Sequence, residues 1–193
     1  MNSSEQVAAG GCMAASVPSW IVIGDKGLAR DRSALQRQRV RYVLNMTPPL
    51  TSGGVANYFE KEGMVEYLRL PLRDVAADSL LGHLPSAVEF LQRARVRADG
   101  RVLVHCNEGR SRSCAIVMGF LIQAYGMSSD DALTAVRAAR PQADPRDEFL
   151  RQLGTLIPAS LPSEIDGFQE AVSQPSKRVG PPVGPAQPKR QAV

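Results

Sequence analysis

Cysteine is scarce and poorly placed for cross-linking: Cys12, Cys106 and Cys114 are the only three in 193 residues, and no two have CxxC spacing. An odd number without metal-ligand spacing provides neither a disulfide framework nor a thiolate zinc site, and it fits a reducing compartment, the cytoplasm and also the nucleus. Histidine is scarcer, with only His83 and His105 and no partners for two-histidine zinc chemistry, so neither a metal nor a cofactor is expected. Long apolar runs are missing. The longest, residues 114–122, falls well short of the roughly 20 residues that span a bilayer and reads as a core helix, so no membrane span is expected. No positively charged segment precedes VAAGGCMAAS, and KRQAV is not a prenylation box, so no targeting address is expected either. The charge excess is small, +4. That suits an anionic partner but falls short of a nucleic-acid binder, and none is expected.

The length suits one domain with a buried core and tails. Residues 1–17 are small and polar, an expected disordered N-terminal tail; residues 18–157 carry the domain; residues 158–193 shift to proline, glycine, serine and glutamine, an expected flexible tail. Within that tail PAQPKR fits a polyproline ligand for an SH3-like groove, against the alternative of a plain solubilising segment.

Along the domain, SWIVIGD reads as a strand ending at Gly24, DRSALQRQR as one short surface helix, VRYVLNM as a second strand and MVEYLRL as a third. A helix follows with Leu84, Val88, Leu91 and Ala94 on one face and Pro85 in its first turn. RVLVH has the continuous apolar character of a strand buried on both faces, and SCAIVMGFLIQAY that of a central helix ending at a Gly126 cap. Ser128 or Ser129 caps DDALTAVRAA, Pro141 stops it, and RDEFLRQLGTLI is the last helix. Strands alternating with helices predict an α/β domain, a mostly parallel central sheet with helices on both faces.

Between RVLVH and the central helix lies HCNEGRSRS. A strand that turns through a short loop into a helix collects backbone N–H groups at the helix N-terminus, which is an anion site, with phosphate the obvious guest. Gly109 lets the loop turn tightly, and Arg112 can grip two phosphate oxygens. The same dipoles and guanidinium lower the Cys106 pKa and make its thiolate a nucleophile facing phosphorus. A buried inert thiol is the alternative, but it leaves Arg112 and Gly109 unexplained. A P-loop NTPase is excluded by the absence of a GxxxxGK(S/T) lysine. Arginine supplies most of the positive charge, which a phosphate-binding surface or plain codon bias explains equally.

HCNEGRSRS resembles the HCxxGxxR(S/T) signature of the cysteine-dependent protein tyrosine phosphatase superfamily, in the form found in small atypical dual-specificity phosphatases. The likeness extends over about residues 18–157, through PSWIVIGD, VRYVLNMT and RAARPQADPRDEFLRQL. It implies the corresponding fold and a set of roles. Cys106 attacks phosphorus; Asn107, Glu108, Gly109, Arg110, Ser111 and Arg112 form the phosphate-binding loop; the Arg112 side chain stabilises the transition state; Ser113 assists the thiolate as leaving group. His105 is read as a residue tied to the loop, positioning it. Asp74, in LPLRDVAADS, matches the family's general acid, with Asp78 as the local competitor. Cys114 is either a resolving thiol or plain core packing.

Two departures stand out. The family's usual Pro-Asn before the last helix is Pro145-Arg146, so either the loop finds another brace or Arg146 faces substrate; the usual Ala-Tyr pair in the central helix is Gly119-Phe120. A phospho-binding pseudophosphatase is the main alternative from another class; such domains usually lose the cysteine, the arginine or the acid, and all three are here. Rhodanese-like phosphatases lack the upstream aspartate, and low-molecular-weight ones place their loop near the N-terminus. The resemblance implies a dual-specificity protein phosphatase acting on phosphorylated proteins, with a phosphoinositide, glycan or RNA phosphate as the alternative. Arg110 either favours an acidic substrate or is a solvent-facing charge. Sparse aromatics, with Tyr42, Tyr58 and Tyr67 the only upstream tyrosines, predict a shallow pocket open to phosphotyrosine and phosphoserine or phosphothreonine alike.

Overall fold

Four short apolar segments pair into one sheet: β1 (Ile21–Gly24), β2 (Val40–Asn45), β3 (Glu66–Arg69) and β4 (Arg101–His105), in the order β1-β4-β2-β3 with every pair parallel. This is a computed structural model, and it describes residues 16–157. Most of the expected N-terminal tail, Cys12, the 158–193 tail and its PAQPKR segment lie outside the described residues. Parallel neighbours require crossovers, and here these carry helices: α1 (Lys26–Arg30), α2 (Arg32–Arg37), α3 (Leu80–Arg97), α4 (Arg112–Tyr125), α5 (Ser129–Ala139) and α6 (Asp147–Gly154). The expected α/β architecture is the one observed.

Successive strand side chains point to opposite faces, so the sheet feeds two cores. Ile21, Ile23, Tyr42, Leu44, Val102 and Val104 face the larger one, shared with Phe90, Phe120 and Phe149 of α3, α4 and α6. Val43 and Leu103 face the smaller one with Ala29 and Leu35 of α1 and α2. Val40 also joins the smaller core although Tyr42, two residues on, joins the larger. A register shift between these two residues in the β2–β4 pairing absorbs the extra residue and restores the alternation.

Most helices begin at side-chain caps. Ser79 accepts from the Gly82 amide and starts α3, and Ser128 accepts from the Asp131 amide and starts α5. Gly126, φ 65°, ends α4, and α5 stops before Pro141. Two expectations are corrected. Pro85 lies inside α3, beyond the first turn, because the Ser79 cap and the complete burial of Leu80 start the helix earlier. The sequence predicts one helix before β2, yet α1 precedes α2; the Asp25 carboxylate caps it through the Leu28 amide.

Helix α4 is buried from Arg112 to Ile122, packed on β1 and β4 and covered by α3, α5 and α6. Gly119 permits the close crossing of α3, since a Cβ there would stand 2.7 Å from Leu84 Cδ1. Phe120 meets Trp20 and Tyr125 edge-on, both at 5.8 Å between centroids. The Gly-Phe departure thus acts on packing. Among the described residues no helix is long and apolar enough to cross a membrane.

Candidate active site

At the C-terminal end of a parallel sheet, strand-to-helix loops leave a crevice with helix N-termini beside it. The β4–α4 loop does so here. The cleft above it, about 380 Å³, is lined by Asp74, Cys106, Asn107, Glu108, Arg110, Ser111, Arg112, Asp144 and Arg146. The whole expected loop, its cysteine, its arginine and the upstream aspartate meet in one place.

Cys106 lies at the floor, 2% exposed. The Gly109 amide donates to its Sγ at 3.2 Å, and Ser113 Oγ lies 3.4 Å away. Burial pushes the thiol pKa up, but the Ser113 hydroxyl and amide, the Arg112 charge and the Gly109 amide outweigh it and hold the group below its ordinary value. Gly109 adopts φ 68°, and a Cβ would approach Gly24 O to 2.5 Å; both the turn and the close passage over β1 require glycine.

Arg112 opens α4. Its Nη1 donates to Leu72 O at 3.2 Å, while its buried Nε has no hydrogen-bond partner and lies 3.7 Å from Asp74 Oδ2. A buried unpaired donor aimed into a cleft is an anion-binding group in waiting. Asp74 Oδ1 accepts from Ser111 Oγ at 2.9 Å and from Arg146 Nε at 3.0 Å. Asp78 does not line the cleft. Its carboxylate takes the Arg73 amide at 2.6 Å and the Arg73 guanidinium at 2.7 Å, a pairing whose hydrogen bond holds its pKa below the ordinary value.

His105 stands behind the loop, fully buried, with Nδ1 3.1 Å from Cys106 O. A carbonyl only accepts, so Nδ1 carries the proton. Desolvation pulls the ring's pKa down to about 4, which keeps it neutral and suits a positioning role over acid–base work. Cys114 is buried under the loop, its Sγ donating to Gly109 O at 3.5 Å, and burial pushes its pKa up to about 12. Arg110 pairs with Asp144 at 2.9 Å.

Sequence reasoning missed the brace behind the loop. Arg140, the residue that ends α5, donates to Gly109 O at 3.1 Å, Glu108 O at 3.2 Å and Asp25 Oδ2 at 3.0 Å. Asp25 in turn caps α1, and the Lys26 amide donates to Asn107 O at 3.1 Å. Arg140 supplies another brace, the first of the two alternatives raised by the Arg146 departure, and Arg146 itself lines the cleft. The one sequence signal for Arg140 was a basic residue at a helix C-terminus beside a proline. None of Tyr42, Tyr58 and Tyr67 lines the cleft, and neither does any other aromatic among the described residues.

Residues 21–156 match the family model described as the dual specificity phosphatase catalytic domain. Dual specificity protein phosphatase Mpk3 of Drosophila melanogaster is 35% identical over 137 residues, covering 71% of this chain and 32% of that protein. Dual specificity protein phosphatase 19 of Mus musculus is 35% identical over 139 residues, covering 72% of this chain and 60% of that one. The chain thus spans less than two thirds of the length of either relative. Among solved structures, human DUSP28 superposes with a TM-score of 0.63 at 32% identity, over 72% of this chain and 91% of that chain. PTPMT1 in complex with PI(5)P gives 0.59 at 26% identity, over 72% and 91%. With the loop, the parallel sheet and the family model in agreement, the chain belongs to the dual specificity phosphatase catalytic-domain family.

Proposed function

We propose that this protein is a dual-specificity protein phosphatase that hydrolyses phosphotyrosine and phosphoserine or phosphothreonine through a phosphocysteine on Cys106. The observation that carries the reading is the cleft floor itself. A depressed-pKa thiol lies under an amide and a hydroxyl, beside an arginine with an orphaned Nε that faces the Asp74 carboxylate. Phosphate enters with its oxygens on the loop amides and Arg112. The Cys106 thiolate attacks phosphorus, the P–O ester bond breaks, and the leaving oxygen takes a proton from Asp74. Water then attacks the phosphocysteine and gives a proton to the Asp74 carboxylate. The S–P bond breaks and its electron pair returns to Cys106, where the Ser113 hydroxyl stabilises it; inorganic phosphate leaves.

A cleft without aromatic lining residues, and so without a clamp for a phenyl ring, supports acceptance of both short and long phosphorylated side chains. Arg110 pairs with Asp144 at the exposed rim of the cleft, a weak contact for which a multiply phosphorylated substrate would compete. A second reading, a non-protein phosphate, has one observation in its favour: the similar PTPMT1 was solved with PI(5)P. The test is phosphate release from matched peptides differing only in the phosphorylated residue, alongside a phosphoinositide and a phosphoglucan, with Cys106→Ser as control. Turnover of both peptides within about 10³ of each other in kcat/KM supports dual specificity. A lipid or glycan favoured over both peptides establishes the second reading, and full activity in Cys106→Ser ends the mechanism.

A further inference from the structure

We propose that Arg146 is a positioning residue for Asp74, a role that rests on the proposed assignment of Asp74 as general acid: Arg146 holds Oδ1 from outside the phosphate loop and leaves Oδ2 as the oxygen that carries the proton.

Asp74 lies between β3 and α3 in a segment without helix or strand, so no ladder of backbone hydrogen bonds aims its side chain. Three contacts do. Ser111 Oγ donates to Oδ1 at 2.9 Å, Arg146 Nε donates to the same atom at 3.0 Å, and Arg112 Nε approaches Oδ2 at 3.7 Å. Ser111 and Arg112 belong to the loop that must wrap an incoming phosphate. A phosphate dianion competes with a carboxylate for Arg112, whose buried Nε has no hydrogen-bond partner to lose. With Arg112 drawn to phosphate, Arg146 is the charged donor that stays on Asp74 Oδ1, beside the Ser111 hydroxyl.

The arginine is itself well anchored. Its carbonyl accepts from Leu150 N at 3.0 Å at the start of α6, and its amide lies 3.4 Å from Ser111 Oγ. Phe149 and Leu153 bury the inner face of α6. From the same helix Gln152 reaches the far end of the Asp74 segment, accepting from Leu80 N at 2.8 Å and donating to Asp78 O at 3.1 Å. Helix α6 therefore grips the segment twice, through Gln152 at its end and through Arg146 at the carboxyl group itself.

With two donors on Oδ1, a proton on the carboxyl group sits on Oδ2. In the first step Oδ2–H protonates the leaving oxygen as the P–O bond breaks. In the second, Oδ2 takes the proton of the water that attacks phosphorus while the S–P bond breaks. Without Arg146 only the Ser111 hydroxyl still holds Oδ1 once Arg112 engages phosphate; a carboxyl group held at one point swings about it, and the misplaced proton slows the steps that need it.

The experiment measures kcat/KM, which reports the first chemical step, on a phosphothreonine peptide and on an aryl phosphate whose acidic phenol leaves without a proton. Arg146→Ala is expected to lose about 10- to 100-fold on the peptide and under about 3-fold on the aryl phosphate. Arg146→Lys, which keeps a cationic donor, is expected to recover most of the peptide rate. In an Asp74→Asn background Arg146→Ala should cost under about 2-fold, because the two act as one unit. Equal losses on both substrates, or an undiminished loss in the Asp74→Asn background, would overturn the inference. If Asp74→Asn itself leaves the peptide rate unchanged, the general-acid assignment fails. If Asp74→Asn is slow while Arg146→Ala is fully active, the role given to Arg146 alone fails. Should Arg146→Ala not fold, Arg146→Gln and Arg146→Lys carry the same comparison.

Discussion

Replacing Arg140 with methionine removes the brace behind the phosphate loop while preserving much of the side-chain volume. The guanidinium, 18% exposed, donates to Gly109 O, Glu108 O and Asp25 Oδ2. Hydrogen bonds from a charged donor contribute about 1.5–3 kcal/mol each when the partner is left stranded. Two of the partners are not stranded: the Asp25 carboxylate is 35% exposed and the Glu108 contact is at the surface, so water replaces most of what they lose. Gly109 O is part-buried, with only the weak Cys114 thiol as a second donor. One full contribution and two fractional ones give a loss of about 2–3 kcal/mol, which for a domain of this size lowers Tm by roughly 6–9 °C. The same carbonyl belongs to the residue whose amide holds Cys106 Sγ at 3.2 Å, so kcat should fall by about 10- to 100-fold as that amide drifts. Differential scanning calorimetry and phosphopeptide turnover give the two numbers. There is also an acid signature. Burial raises the Asp25 pKa, but the Leu28 amide, Arg140 and the Gly27 amide outweigh it and hold it below 3.8. A depressed carboxylate pKa stabilises the fold above the unfolded value and ceases to do so as pH falls through the folded one. The Tm gap between the native protein and Arg140→Met should therefore narrow below about pH 4. A gap under 2 °C at neutral pH, roughly a quarter to a third of the expected shift, together with unchanged kcat, would refute the brace.

Asp74→Ala should lower kcat by about 10²–10⁴ on phosphopeptides, whereas Asp78→Ala, whose carboxylate is spent on Arg73, should stay within about 3-fold. Steady-state kinetics decide, and a larger loss at Asp78 reverses the assignment of the acid. Hydrogen peroxide should abolish phosphopeptide turnover by oxidising Cys106, with recovery by added thiol. Cys114, protonated at every physiological pH, should not act as a resolving thiol; a persistent loss of two hydrogens by intact mass, abolished by Cys114→Ser, would show that it does.

Where the fold was readable, one local pattern was decisive. RVLVH and the greater part of VRYVLN are buried on both faces and so are apolar without interruption, and the uniform burial of α4 gives SCAIVMGFLI its composition. Helix α1 has no such pattern. KGLAR buries only Ala29, and what holds it is the Asp25 cap and the bond from Lys26 N to Asn107 O in the phosphate loop, a partner from the far side of the sequence. Strand β3 was expected from Met64 and begins at Glu66, half-buried at the sheet edge, where one missing neighbour weakens both the burial and the apolar signal.

The site divides along the same line. The proposed nucleophile, its amides and its arginine were visible because the proposed chemistry requires them within one strand–loop–helix turn, and HCNEGRSRS is contiguous. The arginines were not separable, since composition cannot tell a phosphate ligand from a surface charge. What separates them is the partner each finds across the fold. Arg93 and Arg97 meet Glu66 on β3, Arg110 meets Asp144, Arg140 meets Asp25, and Arg146 meets Asp74. Arg112 alone of these has a buried nitrogen without a hydrogen-bond partner. An arginine whose carboxylate lies 115 positions away, as Asp25 does from Arg140, has no local signature. The aspartates carry no local difference, and family position alone favoured Asp74: both stand in one short loop, and they differ because Arg73 occupies Asp78 while Ser111 and Arg146 hold Asp74 at the cleft. Apart from Asp74, the residues proposed to do chemistry on phosphate are thus contiguous. Those that aim them, Arg140 from the end of α5 and Arg146 from the start of α6, are set by how the last two helices pack on α4, and that packing is a property of the whole chain.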